Sequence, residues 1–179
     1  FRGQVTKAGL IIDERFNSGG QIPDRFVEML YRPLRNYWAV RDGADWTWPP
    51  VANFGAKAML INGYSSSGGD ALPYFFRKEK LGPLVGTRTW GGLIGLSGNA
   101  TFVDGGSVDV PTFRIYDRDG RWVVENVGVA PDVEVFDLPE RRIGGGDPSL
   151  EKAVELLLAE LAKSPSAPPA SPVPPKMVP

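Results

Sequence analysis

The sequence predicts an α/β fold with a mainly parallel sheet and crossover helices. Two observations carry this expectation. Short apolar runs of strand character recur at residues 8–13 (AGLIID), 56–62 (AKAMLIN) and 83–87 (PLVGT). The first two are each followed by a Gly-rich loop and then by a helical pattern. Strand, loop and helix in that repeating order favour parallel strands joined by crossover helices. Sites in such sheets lie beyond the carboxyl ends of the strands, where both Gly-rich loops fall.

The elements follow in order. Residues 8–13 form a buried strand, rich in β-branched residues. After the loop Asn17-Ser18-Gly19-Gly20, Pro23 opens a helix to about Leu34, with Phe26, Val27, Leu30 and Leu34 on one face. Residues 36–41 are a candidate second strand, and residues 42–54 are irregular and rich in Trp and Pro. Residues 56–62 form another buried strand, and residues 70–80 a helix despite Pro73. Residues 83–87 are a third short core strand. Residues 100–103, 108–116 and 121–125 read as strands, the last two joined by a tight Asp119-Gly120 turn. The final helix runs from Pro148 to about Lys163, with Leu150, Val154, Leu157 and Leu161 at helical spacing. Asp147-Pro148 fits an N-cap followed by proline at the first helical position.

The 179 residues suit one domain, and 42% apolar content is enough for a core. Two units are expected: a core domain over residues 1–163 and a tail over residues 164–179. The tail holds seven prolines in sixteen residues and reads as extended or disordered. It is either a solvated tail or a proline-motif ligand for another domain. The chain opens on Phe1 without a signal-peptide pattern and reads as a piece of a longer protein.

Composition also excludes function classes. Twenty basic against 21 acidic residues give a net charge of −1, which rules out nucleic-acid binding through bulk charge. No apolar run is long enough to span a membrane. With no cysteine, there is no disulfide, thiolate zinc site or cysteine nucleophile. With no histidine, a Ser-His-Asp triad cannot be completed from this chain alone.

Three segments can carry chemistry. Asn62-Gly63-Tyr64-Ser65-Ser66-Ser67-Gly68-Gly69-Asp70 lies between a buried strand and a helix. A hydroxyl at such a corner is held above the sheet, and the amides at the helix N-terminus can stabilise an oxyanion. Ser67-x-x-Asp70 is equally an ordinary capping box. Asn17-Ser18-Gly19-Gly20 is either a turn or the source of a second oxyanion donor. Glu125, at a strand end, either orients a catalytic base or water or is an exposed carboxylate. Trp38, Trp46 and Trp48 form a cluster that suits a core or interface as well as a ligand cage.

Together these segments resemble the catalytic core of tricorn-type proteases and, more broadly, the tail-specific (C-terminal processing) serine peptidases. The matching pieces are residues 10–20, 62–70, 86–92 (GTRTWGG), 125–132 (ENVGVAPD) and 147–153 (DPSLEKA), in the family's order. The resemblance implies a crotonase/ClpP-like ββα superhelical core. It implies Ser67 as nucleophile, Gly20 and Gly68 as oxyanion-hole donors, and Glu125 as the acid acting through a second serine. Gly19 and Trp38 fall at substrate-binding positions. Tail-specific enzymes use a lysine where this chain has Gly92, so a histidine-dependent, tricorn-type mechanism is favoured. Trp38 stands where that branch has an acid selecting basic residues, while Asp42 and Asp45 are nearby but out of register.

The resemblance further implies a peptide substrate, upstream partner domains (a helical one bearing the histidine and a PDZ-like one) and a homo-oligomeric full protein. It implies no metal or organic cofactor, no nucleic acid and no membrane. The expected compartment is cytoplasmic. The expected function is serine peptidase chemistry, with the isolated chain inactive. The alternatives are a non-catalytic peptide-binding or scaffold module and a crotonase-like acyl-CoA enzyme.

Overall fold

A computed structural model describes residues 1–21, 24–98, 100–163 and 168–173. In chain order the elements are β1 (Gly9–Asp13), α1 (Asp24–Tyr31), β2 (Asn36–Trp38), β3 (Trp46–Trp48), β4 (Ala56–Ile61) and α2 (Gly68–Lys78). Then come β5 (Leu84–Gly86), β6 (Gly95–Leu96), β7 (Pro111–Phe113), β8 (Val133–Glu134), α3 (Pro139–Ile143) and α4 (Pro148–Lys163).

The main sheet has the order β1-β4-β5-β8, with every pair parallel. β4 is central, and all but its first residue are buried. Its side chains alternate between two cores, as the pleat requires. Met59 and Ile61 join Val27 and Leu30 of α1 and Leu72 and Phe76 of α2. Ala58 and Leu60 face Ala153 and Leu157 of α4. Helices on both faces explain why this strand is a nearly unbroken apolar run.

The α/β expectation is met, with corrections at the periphery. Residues 36–41 supply only β2, which pairs antiparallel with β3 in a separate hairpin. Of the strands expected at 100–103, 108–116 and 121–125, only β7 forms, paired with β6. Isolated bridges join Thr101 to Ser107 and Tyr116 to Trp122, the latter around the expected Asp119-Gly120 turn. Aromatic and β-branched residues give that region strand propensity, but most of it is exposed, and propensity without a packed partner does not make a ladder. The helix-opening Pro23 lies outside the described residues, as do residues 164–167 and 174–179 of the tail. Residues 168–173 carry neither helix nor strand.

Asp147 caps α4 as expected, accepting from the Leu150 amide at 3.2 Å. It also pairs with Arg15, at 2.7 Å. The Arg15 side chain is only 5% exposed and is also bonded to Asp13 at 2.7 Å and Asp137 at 2.9 Å. One guanidinium therefore ties the end of β1 to the segment after β8 and to the start of α4. Arg15 holds the Asp147 carboxyl down at about 2.

Candidate active site

The carboxyl ends of β1 and β4 bring the two Gly-rich loops together. The Ser66 amide donates to the Asn17 carbonyl at 2.9 Å. A Cβ on Gly69 would lie 2.1 Å from that carbonyl, so only glycine permits this approach. Gly19, at φ +109°, packs on Ser67: a Cβ there would lie 2.6 Å from Ser67 Cβ and 3.0 Å from its Oγ. A Cβ on Gly68 would lie 3.3 Å from the Gly20 nitrogen. The structure thus gathers Ser67, Gly68, Gly19 and Gly20 into one corner.

Ser67 has φ 56° and ψ −114° at the N-cap of α2. A non-glycine residue held there is strained by roughly 1–3 kcal/mol and persists only where its surroundings fix it. The fixing group is Asp70, which is fully buried. Its carboxylate accepts from the amides of Ser67 at 2.8 Å, Gly91 at 2.8 Å and Gly92 at 3.2 Å, and from the Thr89 hydroxyl. The Ser67 amide also donates to the Gly92 carbonyl at 3.0 Å. The capping pattern and the strained corner are therefore one arrangement. Asp70 does more than cap a helix: it ties α2 to residues 89–92.

Two amides differ in their partners. The Gly19 N–H donates to Asn17 Oδ1 at 2.9 Å. Gly20 N–H has no acceptor among the described residues. Gly68 occupies the first helical position, where amides have no intrahelical partner.

Glu125 does not touch Ser67. Its Oε2 accepts from the Leu93 and Ile94 amides at 2.6 and 2.8 Å, while Oε1 has no partner among the described residues. The link to Ser67 runs through the 91–94 segment, whose Gly92 carbonyl meets the Ser67 amide. Trp38 lies on the β2–β3 hairpin, half exposed, with its ring stacked on Trp46 at 5.5 Å. Its described contacts do not connect it to Ser67. Beside the corner, a cleft of about 660 Å³ runs between Phe16, Asn62, Tyr64, Phe136, Leu138 and Arg142. Ser67 does not line it.

Sequence reasoning missed Glu14. It is 6% exposed, and its Oε1 accepts from Asn17 Nδ2 at 2.5 Å. Burial pushes its pKa up from 4.5 to about 7, the Asn17 amide opposes the rise, and Asp13 adds to it. Nothing local marks this acid as buried: its main chain is bonded to Leu60 and to the Ser65 hydroxyl, about fifty positions away in sequence.

A pKa raised in the folded state means that the folded protein binds the extra proton. The Glu14 contribution to stability is therefore whole below about 4.5 and is lost as pH rises through about 7. The loss is at most about 3 kcal/mol before solvent screening is allowed for. Glu14→Gln keeps an acceptor for Asn17 and cannot ionise. Thermal unfolding from pH 5 to 8.5 should show the variant gaining on the parent as pH rises, whereas parallel curves would mean that Glu14 does not titrate in this window.

Among the described residues, no group of three or more His, Cys, Asp or Glu side chains is placed to hold a metal ion. None of their helices is long and apolar enough to cross a membrane.

Residues 3–135 match the model of peptidase family S41. A putative tricorn-like protease C-terminal subunit from Sulfurisphaera tokodaii is 38% identical over 161 residues, covering 90% of this chain and 19% of its own length. Tricorn protease from Thermoplasma volcanium is 38% identical over 166 residues, covering 91% of this chain and 16% of its own length. The crystal structure of tricorn protease superposes with a TM-score of 0.80 at 37% identity, over 87% of this chain and 15% of that one. The photosystem II D1 C-terminal processing protease gives 0.53 at 26% identity, over 72% and 35%. The chain therefore spans less than a fifth of these tricorn-type relatives. With the family matched across most of its length, the chain belongs to peptidase family S41.

Proposed function

We propose that this chain is the nucleophile-bearing core of a serine peptidase whose base comes from elsewhere in a longer protein. The observation that carries this reading is the strained Ser67 at the start of α2, with Gly19 against its side chain. Ser67 Oγ attacks the peptide carbonyl, and the carbonyl oxygen becomes an anion. The Gly20 and Gly68 amides receive that oxyanion; Gly19 N–H is already committed to Asn17. Collapse expels the amine and leaves an acyl-enzyme, which water then hydrolyses.

A serine hydroxyl is almost fully protonated at neutral pH and needs a base. This sequence contains no histidine. In our reading the base is a histidine on an upstream helical domain, beside a second serine; it takes the Ser67 hydroxyl proton and returns it to the departing amine. Glu125 Oε1 is the group that this serine meets, and Oε2 keeps the carboxylate anchored to the 93–94 backbone. Trp38 contacts the peptide substrate. A PDZ-like domain and assembly into a homo-oligomer complete the proposed protein.

The test is covalent trapping. A fluorophosphonate should modify Ser67 in the full-length protein, read by mass spectrometry of its peptide. The isolated chain should stay unmodified under the same exposure, and adding the upstream domains should restore labelling. A full-length protein that cleaves peptides but is labelled at another serine would end this assignment. One that neither cleaves nor reacts would favour a peptide-binding module.

A further inference from the structure

The β2–β3 hairpin presents an aromatic groove that the proposed chemistry does not use. It measures about 570 Å³ and is lined by Leu34, Tyr37, Trp46, Pro50 and Phe54, among others. Tyr37 and Trp46 are still 38% and 41% exposed, and Trp46 is stacked on Trp38 at 5.5 Å and meets Trp48 at 5.9 Å with the rings tilted by 59°. Pro168 of the tail also lines this groove. Three residues on, the Ser171 hydroxyl donates to Asp45 Oδ2, while Asp45 Oδ1 accepts from the Val40 amide at 3.1 Å. The tail therefore meets the hairpin at an apolar point and at a polar one.

We infer that the hairpin is the docking surface of the chain's own proline-rich tail, residues 168–173, which lies along the rim of this groove with Pro168 as part of its wall. Three physical reasons favour that ligand. Proline-rich chain is already extended, so docking it costs little conformational entropy. Flat aromatic side chains are the usual partners of such segments. The tail is also covalently attached, so that weak contacts close at a high effective concentration. The Ser171–Asp45 bond sets the register, since prolines have no N–H to donate. Docking joins the end of the chain to the hairpin that carries Trp38 and stiffens a surface otherwise held by a three-residue ladder.

This inference is independent of the peptidase reading, and its test needs no activity. The chain has no cysteine, so Val173→Cys creates a unique labelling site at a residue 91% exposed, where a label does not obstruct docking. A bimane label there is quenched by a nearby indole. The native, full-length labelled chain should be dim and should brighten in denaturant. Trp46→Phe and Asp45→Ala should each relieve the quenching in native buffer, with far-UV circular dichroism showing that the fold is kept. Equal brightness in native buffer and denaturant would overturn the inference. So would quenching that both substitutions leave unchanged.

Discussion

Ser67→Ala should abolish peptide hydrolysis by the full-length protein while leaving its fold in place. Removing the nucleophile of a serine peptidase lowers kcat by on the order of 10⁴–10⁶. The remaining rate comes from the oxyanion donors and from binding, both of which the variant retains. In the proposed mechanism those donors are the backbone amides of Gly20 and Gly68, so the substitution does not delete them. KM should move little, because the hydroxyl gains most of its interaction in the transition state. Loss of an N-cap serine costs about 1 kcal/mol, too little to unfold the domain. Steady-state kinetics with a fluorogenic peptide, alongside a denaturant titration, separates the two effects. Unchanged turnover in the variant would remove Ser67 from the mechanism.

Asp70→Ala should do the opposite, damaging the fold first and activity as a consequence. The carboxylate is fully buried and receives four hydrogen bonds, from Ser67, Thr89, Gly91 and Gly92. Truncation leaves those donors facing a void. Each buried donor left unpaired costs about 1–3 kcal/mol, and a shared network adds less than the sum. A net loss of roughly 3–5 kcal/mol places this substitution among the severe ones. For a chain of this size that is a fall in Tm of on the order of 10 °C. One donor is partly protected: the Ser67 amide keeps its bond to the Gly92 carbonyl. The Thr89 hydroxyl still accepts from the Val129 amide but loses the acceptor for its own proton. Asp70→Asn fills the space but turns an amide toward donors, so it should recover only part of the loss. A cost below about 1 kcal/mol for Asp70→Ala would mean that water enters and replaces the carboxylate.

Asp70 and Glu14 serve the corner in different ways. Asp70 holds Ser67 from the helix side. Glu14 acts on the other loop, because its Asn17 partner accepts from the Gly19 and Ser66 amides. The pH profile of Glu14→Gln therefore also reports on how firmly the loop beneath Gly20 is held.

Much of this protein was determined by its sequence alone. β4 and β5 were legible because a strand buried on both faces is apolar along nearly its whole length. β1 was legible from its apolar run too, although as an edge strand it is only partly buried and ends on an exposed Asp13. α2 and α4 were legible from their periodicity and from caps that act within one turn. The pairing of Ser67 with the Gly19-Gly20 loop followed from a rule of topology, that adjacent parallel strands deliver their loops to the same edge. Tertiary structure alone decided the rest. β8 has two residues and exists because β5 offers it an edge. Residues 100–125 have strand-like composition yet form little ladder, because most of them are exposed. Glu14 became buried, Asp70 became the centre of four hydrogen bonds and Ser171 reached Asp45 through partners 3 to 126 positions away in sequence. Local pattern records what a residue needs from its neighbours along the chain. It does not record which distant backbone will close over a carboxylate, and at this site that closure sets both the geometry and the proton equilibria.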